Sequence, residues 1–138
     1  MLPEISAVKQ IELPRYRADN GDLVVVEGSV HVPFLIVRLF TVHAAAGAIR
    51  GQHAHRSCAQ FLTCPSGSVE VVCFDGRRYA NHHLDQPHIG LLIPPGIWSQ
   101  QSYLMPDTVL SVLCDRHYDE SDYIRDMQHF QSYRNQKP

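Results

Sequence analysis

Between Leu23 and Phe74 the apolar residues fall in short runs separated by turn residues, and none of these runs keeps a helical period. Val24, Val25 and Val26 open one run after the Asn20-Gly21 turn signal, and Pro33 to His43 forms another. A stretch of small residues, Ala44-Ala45-Ala46-Gly47-Ala48, leads into Arg50-Gly51-Gln52-His53-Ala54-His55; Gln60 to Cys64 follows and ends at Pro65-Ser66-Gly67. Ser68 to Phe74 is expected to pair with the residues from Arg77 onward through a hairpin turn at Asp75-Gly76. Further strands fit His82 to Leu84, Ile89 to Ile93 and Val109 to Cys114. Only the tail changes period: Asp119-Glu120-Ser121-Asp122, then Tyr123, Ile124, Met127 and Phe130, predicts a capped amphipathic helix. Many short strands at close spacing predict an all-β sandwich or barrel with a short C-terminal helix.

Size and charge narrow this picture. At 138 residues the chain is expected to be a single domain over 1–138, with a core over about 21–130. Hydrophobic residues at 44% and charged residues at 19% suffice for a buried core. A net charge of -2 supplies no basic excess to displace counterions, so a nucleic acid polymer is not an expected partner. Val30 to Ile49 is the most apolar stretch, but His31, Pro33, Arg38 and His43 interrupt it, and no signal-peptide pattern precedes it. No membrane association is expected, and the location is read as cytoplasmic. Cys58, Cys64, Cys73 and Cys114 form no CxxC pair and read as reduced, packed thiols.

Nine histidines are the compositional oddity, and two of them share a strand parity. In Gly47-x5-His53-x-His55-x4-Gln60-x6-Gly67, residues two apart point to one face, so both imidazoles are expected to face the interior. The segment resembles the first cupin motif, and Pro94-x-Gly96-x-x-Ser99 resembles the second. Cupins place a metal on His, His, Glu and His; here Gln60 stands at the Glu position and Ser99 at the last His. With two of four ligands left, no metal and no cofactor are expected. Two such histidines suit proton transfer, one taking a proton from carbon while the other moves a proton between oxygens. Arg50 adds a group able to hold phosphate oxygens in a fork.

Arg50-Gly51-Gln52-His53-Ala54-His55, Gly21-Asp22-Leu23-Val24, Pro95-Gly96-Ile97-Trp98 and Tyr118-Asp119-Glu120-Ser121-Asp122-Tyr123-Ile124-Arg125 together resemble the sugar 3,4-ketoisomerases, the WxcM-like cupins. The resemblance implies a small cupin-type (jelly-roll) β-barrel and a homodimer. It also implies metal-independent isomerisation of a dTDP-4-keto-6-deoxyglucose-type substrate to the 3-keto sugar, in deoxyaminosugar biosynthesis. In that scheme His55 is the carbon base and His53 the oxygen shuttle, or the reverse. Arg50, Gln60, Thr41, Ser99 and Trp98 are the candidate substrate contacts. Where the family carries tyrosines in the strand before the HxH pair this chain has Phe40 and Thr41, and where it carries a His after the Pro-x-Gly-x-Trp turn it has Ser99. His43 shares the parity of Thr41. Two rival readings remain: a nucleotide-sugar-binding cupin without turnover, and a metal-dependent cupin enzyme using Gln60 or His43. Tyr118, Tyr123, Arg125 and the final helix are expected to cap the barrel or meet a neighbouring subunit.

Overall fold

The computed structural model describes residues 2–135. Two five-stranded antiparallel sheets face each other. The first runs in the order β1 (Lys9–Glu12), β9 (Ile89–Ile93), β6 (Gln60–Ser66), β11 (Thr108–Cys114) and β4 (Arg38–Ala44). The second runs β12 (Tyr123–Ile124), β5 (Ile49–His55), β10 (Trp98–Tyr103), β7 (Val69–Phe74) and β8 (Tyr79–Leu84). A separate ribbon pairs β2 (Arg15–Ala18) with β3 (Gly21–Val24) around the Asn20-Gly21 turn. This is the expected jelly roll, although the two sheets do not hydrogen-bond around into a closed barrel.

Alternation along the strands builds the core. In β11, Thr108, Leu110, Val112 and Cys114 are buried while their neighbours are half-buried. They meet Leu62, Cys64, Val69, Val71, Cys73 and Tyr103 between the sheets. The central strand β6 is buried on both faces from Gln60 to Cys64, because Phe61 turns outward into a second cluster with Leu13 and Val32. That cluster explains the segment after β3: Phe34 and Ile36 pack over the outer face of the first sheet, so the strand expected from Pro33 begins only at Arg38. All four cysteines are free and buried, as expected.

Three further differences have local causes. The hairpin at Asp75-Gly76 forms, but closes at Phe74 opposite Tyr79, leaving a longer loop in which the Asp75 carboxylate accepts the Arg77 and Arg78 amides at 2.8 Å each. The framework starts before residue 21, since β1 pairs with β9 at the edge of the first sheet. In the tail, Asp119 does cap a turn by accepting the Ser121 amide, but this is a 3-10 turn, Glu120–Asp122, followed by β12. The α-helix, α1 (Met127–Arg134), starts from a second cap, Asp126, whose side chain accepts the His129 amide. It packs Phe130 on Trp98 and Phe74 at the outer face of the second sheet. Among the described residues, no helix is long and apolar enough to cross a membrane.

Candidate active site

β5 carries both histidines on one face, with ring centroids 4.9 Å apart and nearly perpendicular planes. His53 lines a cavity of about 360 Å3 together with Arg50, Gln60, Gln101, Tyr123 and Arg125; Phe40, Val42, Leu110 and Val112 from the first sheet line it as well. A volume of this order falls in the range of small-molecule sites. His55 is not on that wall. It is 5% exposed, and its Nδ1 donates to the Asp122 carboxylate at 3.0 Å. Its Nε2 is buried without a partner. Asp122 is itself fixed, accepting the Ser57 amide at 2.7 Å and the Cys58 amide at 3.2 Å.

Tyr123 stands directly opposite His55 across the β12–β5 pair, and so on the same face. Its ring lies 4.3 Å from that of His55 and 5.0 Å from that of His53, covering both imidazoles. Arg125 stacks over Tyr123 at 4.2 Å and pairs with Glu120 at 2.8 Å, while Glu120 also accepts the Tyr118 hydroxyl. Arg50 has no ion-pair partner among the described residues, which leaves a guanidinium free on the cavity wall. Gly51 is at φ +69°, and a Cβ there would collide with the Gln101 side chain; glycine lets Gln101 reach across β5 into the cavity.

Burial decides the charge of the pair. It lowers the His53 pKa to about 3, helped by repulsion from His55 and Arg125. His55 is also lowered by burial, against the opposing pull of Asp122. Both rings are therefore neutral at pH 7, the state able to accept a proton. On the floor, Gln60 donates its amide to Cys114 Sγ at 3.7 Å, and Arg38 donates to the same sulfur at 3.4 Å. The Cys58 contact and Arg38 together hold the Cys114 thiol below its ordinary value.

Similarity to known proteins agrees with this geometry. A family model described as WxcM-like, C-terminal, matches residues 6–135. The chain belongs to the WxcM-like family. A relative from Aneurinibacillus thermoaerophilus, TDP-4-oxo-6-deoxy-alpha-D-glucose-3,4-oxoisomerase, is 35% identical over 126 residues, 91% of either chain. A 3,4-ketoisomerase structure from Helicobacter canadensis superposes with a TM-score of 0.90 at 31% identity, covering 94% of this chain and 98% of that one. A 3,4-ketoisomerase from Thermoanaerobacterium thermosaccharolyticum, as a histidine-to-asparagine variant in complex with TDP-4-keto-6-deoxyglucose, gives 0.90 at 28% identity, covering 94% and 95%.

Within this WxcM-like site, the residues expected from sequence divide by strand face. His53, Arg50 and Gln60 line the cavity. Ser99 is buried opposite His53 in the β10–β5 register, beside the pair but not on the cavity wall. Thr41 is corrected: it is exposed on the outer face of β4 with His43, because Phe40 and Val42 take the inward positions against Val112 and Leu110. Trp98 is corrected as well. It points to the outer face of the second sheet and packs on Phe130 at 5.6 Å, so it is core rather than a substrate platform. Tyr123 and Arg125, expected to cap the barrel or meet a neighbouring subunit, also line the cavity. Asp122 gave no signal of its own, since its partner lies 67 residues away. The cupin metal set does not fit: His53 and His55 would be joined only by an amide and a hydroxyl, and the Gln60 amide is turned to Cys114.

Proposed function

We propose that this protein is a 3,4-ketoisomerase acting on a TDP-linked 4-keto-6-deoxyhexose, with His53 and His55 moving the protons. The observation that carries the reading is the neutral pair itself, one imidazole on the cavity wall and the other held by a buried carboxylate. Relatives with this activity, similar over most of their length, support it.

The reaction moves a carbonyl by one carbon. The C3–H bond breaks, its electron pair forms the C3=C4 bond, and the C4 carbonyl oxygen becomes an enediolate oxygen that takes a proton. O3 then gives up its proton, the electron pair returns, and C4 receives a proton, leaving a ketone at C3 and a hydroxyl at C4. We assign the carbon proton to His53, because it borders the cavity and His55 does not. His55, fixed in one tautomer by Asp122 and left with an unpartnered Nε2, carries the proton that passes between O3 and O4 once substrate displaces the Tyr123 ring that covers both bases. Gln101 offers its amide and Gln60 its remaining carbonyl oxygen to the sugar hydroxyls, and Arg50 and Arg125 offer positive charge to the enediolate or the diphosphate. Acid–base catalysis supplies about 10²–10⁴-fold, and alignment of substrate by these polar groups supplies more.

The reading includes a second copy of the chain. Tyr16 and Leu23 on the β2–β3 ribbon, with Val30, Leu35 and Leu39, are exposed by 56–72%, an apolar surface that suits pairing across a homodimer. Light scattering on the purified protein is expected to give twice the 15.7 kDa chain mass.

The direct test is to incubate the purified, chelator-treated protein with TDP-4-keto-6-deoxyglucose and identify the product by NMR. A 3-keto sugar formed by the wild type and lost in His53→Asn supports the reading. Binding without conversion favours a nucleotide-sugar-binding cupin without turnover, and conversion that requires added metal favours the metal-dependent enzyme.

A further inference from the structure

We propose that His55, Cys58 and Asp122 form an inhibitory site for a soft divalent cation of the zinc class, on the Nδ1 edge of His55. One ligand atom from each residue lies within 4.8 Å of the others, and all three residues are buried. Zinc holds nitrogen, sulfur and oxygen donors at about 2.0–2.3 Å in a tetrahedron, so any two of them stand about 3.3–3.7 Å apart. Closure of these three onto an ion therefore needs the most distant pair to approach by about 1 Å. An imidazole, a thiolate and a carboxylate suit zinc, cobalt or cadmium, whereas magnesium and calcium prefer all-oxygen sets.

The backbone presets the carboxylate donor. Asp122 Oδ1 and Oδ2 are oriented by the Ser57 and Cys58 amides, which aim Oδ2 at His55 Nδ1 at 3.0 Å. The Cys58 thiol makes weak contacts, to the Ala59 carbonyl at 3.4 Å and to the Cys114 sulfur; the Cys114 contact and burial hold it protonated until an ion displaces the proton. A smaller cavity of about 180 Å3, bordered by Ser57, Asp119, Ser121, Asp122, Arg56 and Arg116, gives a path from solvent to the Asp122 side. Arg116 is neutralised there by Asp115 at 3.0 Å. On binding, the ion replaces the thiol proton, which leaves to water, and it takes Nδ1 while the imidazole proton moves to Nε2. His55 then lacks the tautomer that Asp122 holds, and the carboxylate charge is taken up by the metal. This set shares only His55 with the cupin ligand positions, and its donors lie in the β5–β6 loop and the 3-10 turn.

The inhibitory consequence rests on the proposed isomerase reading; the binding site does not. Metal-free protein is titrated with Co2+ and followed by absorbance. One equivalent is expected to raise a thiolate-to-cobalt charge-transfer band in the near ultraviolet, which zinc displaces and which Cys58→Ser and Cys58→Ala both lack. Zinc is also expected to inhibit isomerisation by the wild type. Each Cys58 variant, measured against its own basal rate, is expected to need at least on the order of tenfold more zinc for half-inhibition, since losing even a supporting contact at a metal site costs that much. Absence of the band in the wild type overturns the site, and equal zinc sensitivity of wild type and variants overturns its inhibitory role. A wild type that shows the band but never converts the keto sugar keeps the site and overturns the isomerase reading instead.

Discussion

His53 faces a set of groups that all bear on its charge: His55 on its own strand, Tyr123 and Arg125 beyond the turn, Glu120 below them, and Ser99 across the β10 pair. Burial dominates and lowers its pKa to about 3, far below the ordinary 6.5. The sign follows directly: a base works unprotonated, and a depressed pKa keeps it unprotonated as pH falls. In chelator-containing buffer, kcat/KM is expected to stay level from pH 8 to pH 6, with its acid limb well below 6.5; a limb at 6.5 contradicts the burial argument. Asp122 acts through His55 as a positioning residue. Asp122→Asn is expected to lower kcat by about 10²–10⁴-fold, the worth of an acid–base group, with KM little changed. Thr41→Ala and Trp98→Phe test the two corrected residues, and both are expected to leave KM unchanged. The sequence contained the signal for Thr41: Phe40, Val42 and Ala44 alternate with Leu39, Thr41 and His43, and the first set is uniformly apolar. The HxH spacing was legible for the same period-two reason. Asp122 was not, because only the folded tail brings it to β5.

At the level of elements, α1 and β10 show where pattern reading stops. Most strands were visible as apolar runs, but β10 (Trp98–Tyr103) is written Trp-Ser-Gln-Gln-Ser-Tyr and holds its place through paired backbones on both sides rather than through apolar alternation. β1 is similarly masked, because three of its four residues are polar and it survives as an edge strand against Ile89–Leu92. In the tail, the cap signal at Asp119 was real, yet the chain uses it to place Asp122 and Tyr123 before the helix begins at Asp126. α1 is short, and an isolated helix of this length is marginal in water, so its stability comes from docking Phe130. Phe130→Ala is expected to cost about 3–5 kcal/mol in denaturant unfolding, as for other buried aromatic truncations. An effect below 1 kcal/mol would mean that the helix is not anchored there.

For the whole molecule, the jelly roll provides a rigid wall and the tail provides the lid residues of the same cavity. The first sheet contributes apolar positions at Phe40, Val42, Leu110 and Val112; the second contributes the bases, and the segment after Asp119 covers them. This division accounts for a site that is half legible from the HxH strand and half hidden in a segment that reads as a helix. The mechanism turns on which proton each histidine moves. The decisive measurement follows the C3 proton of TDP-4-keto-6-deoxyglucose by NMR in deuterated, chelator-containing buffer with wild type, His53→Asn and His55→Asn. The account predicts loss of the C3 signal and 3-keto product with wild type, C3 exchange with little product for His55→Asn, and neither for His53→Asn. Undiminished C3 exchange in His53→Asn would contradict it.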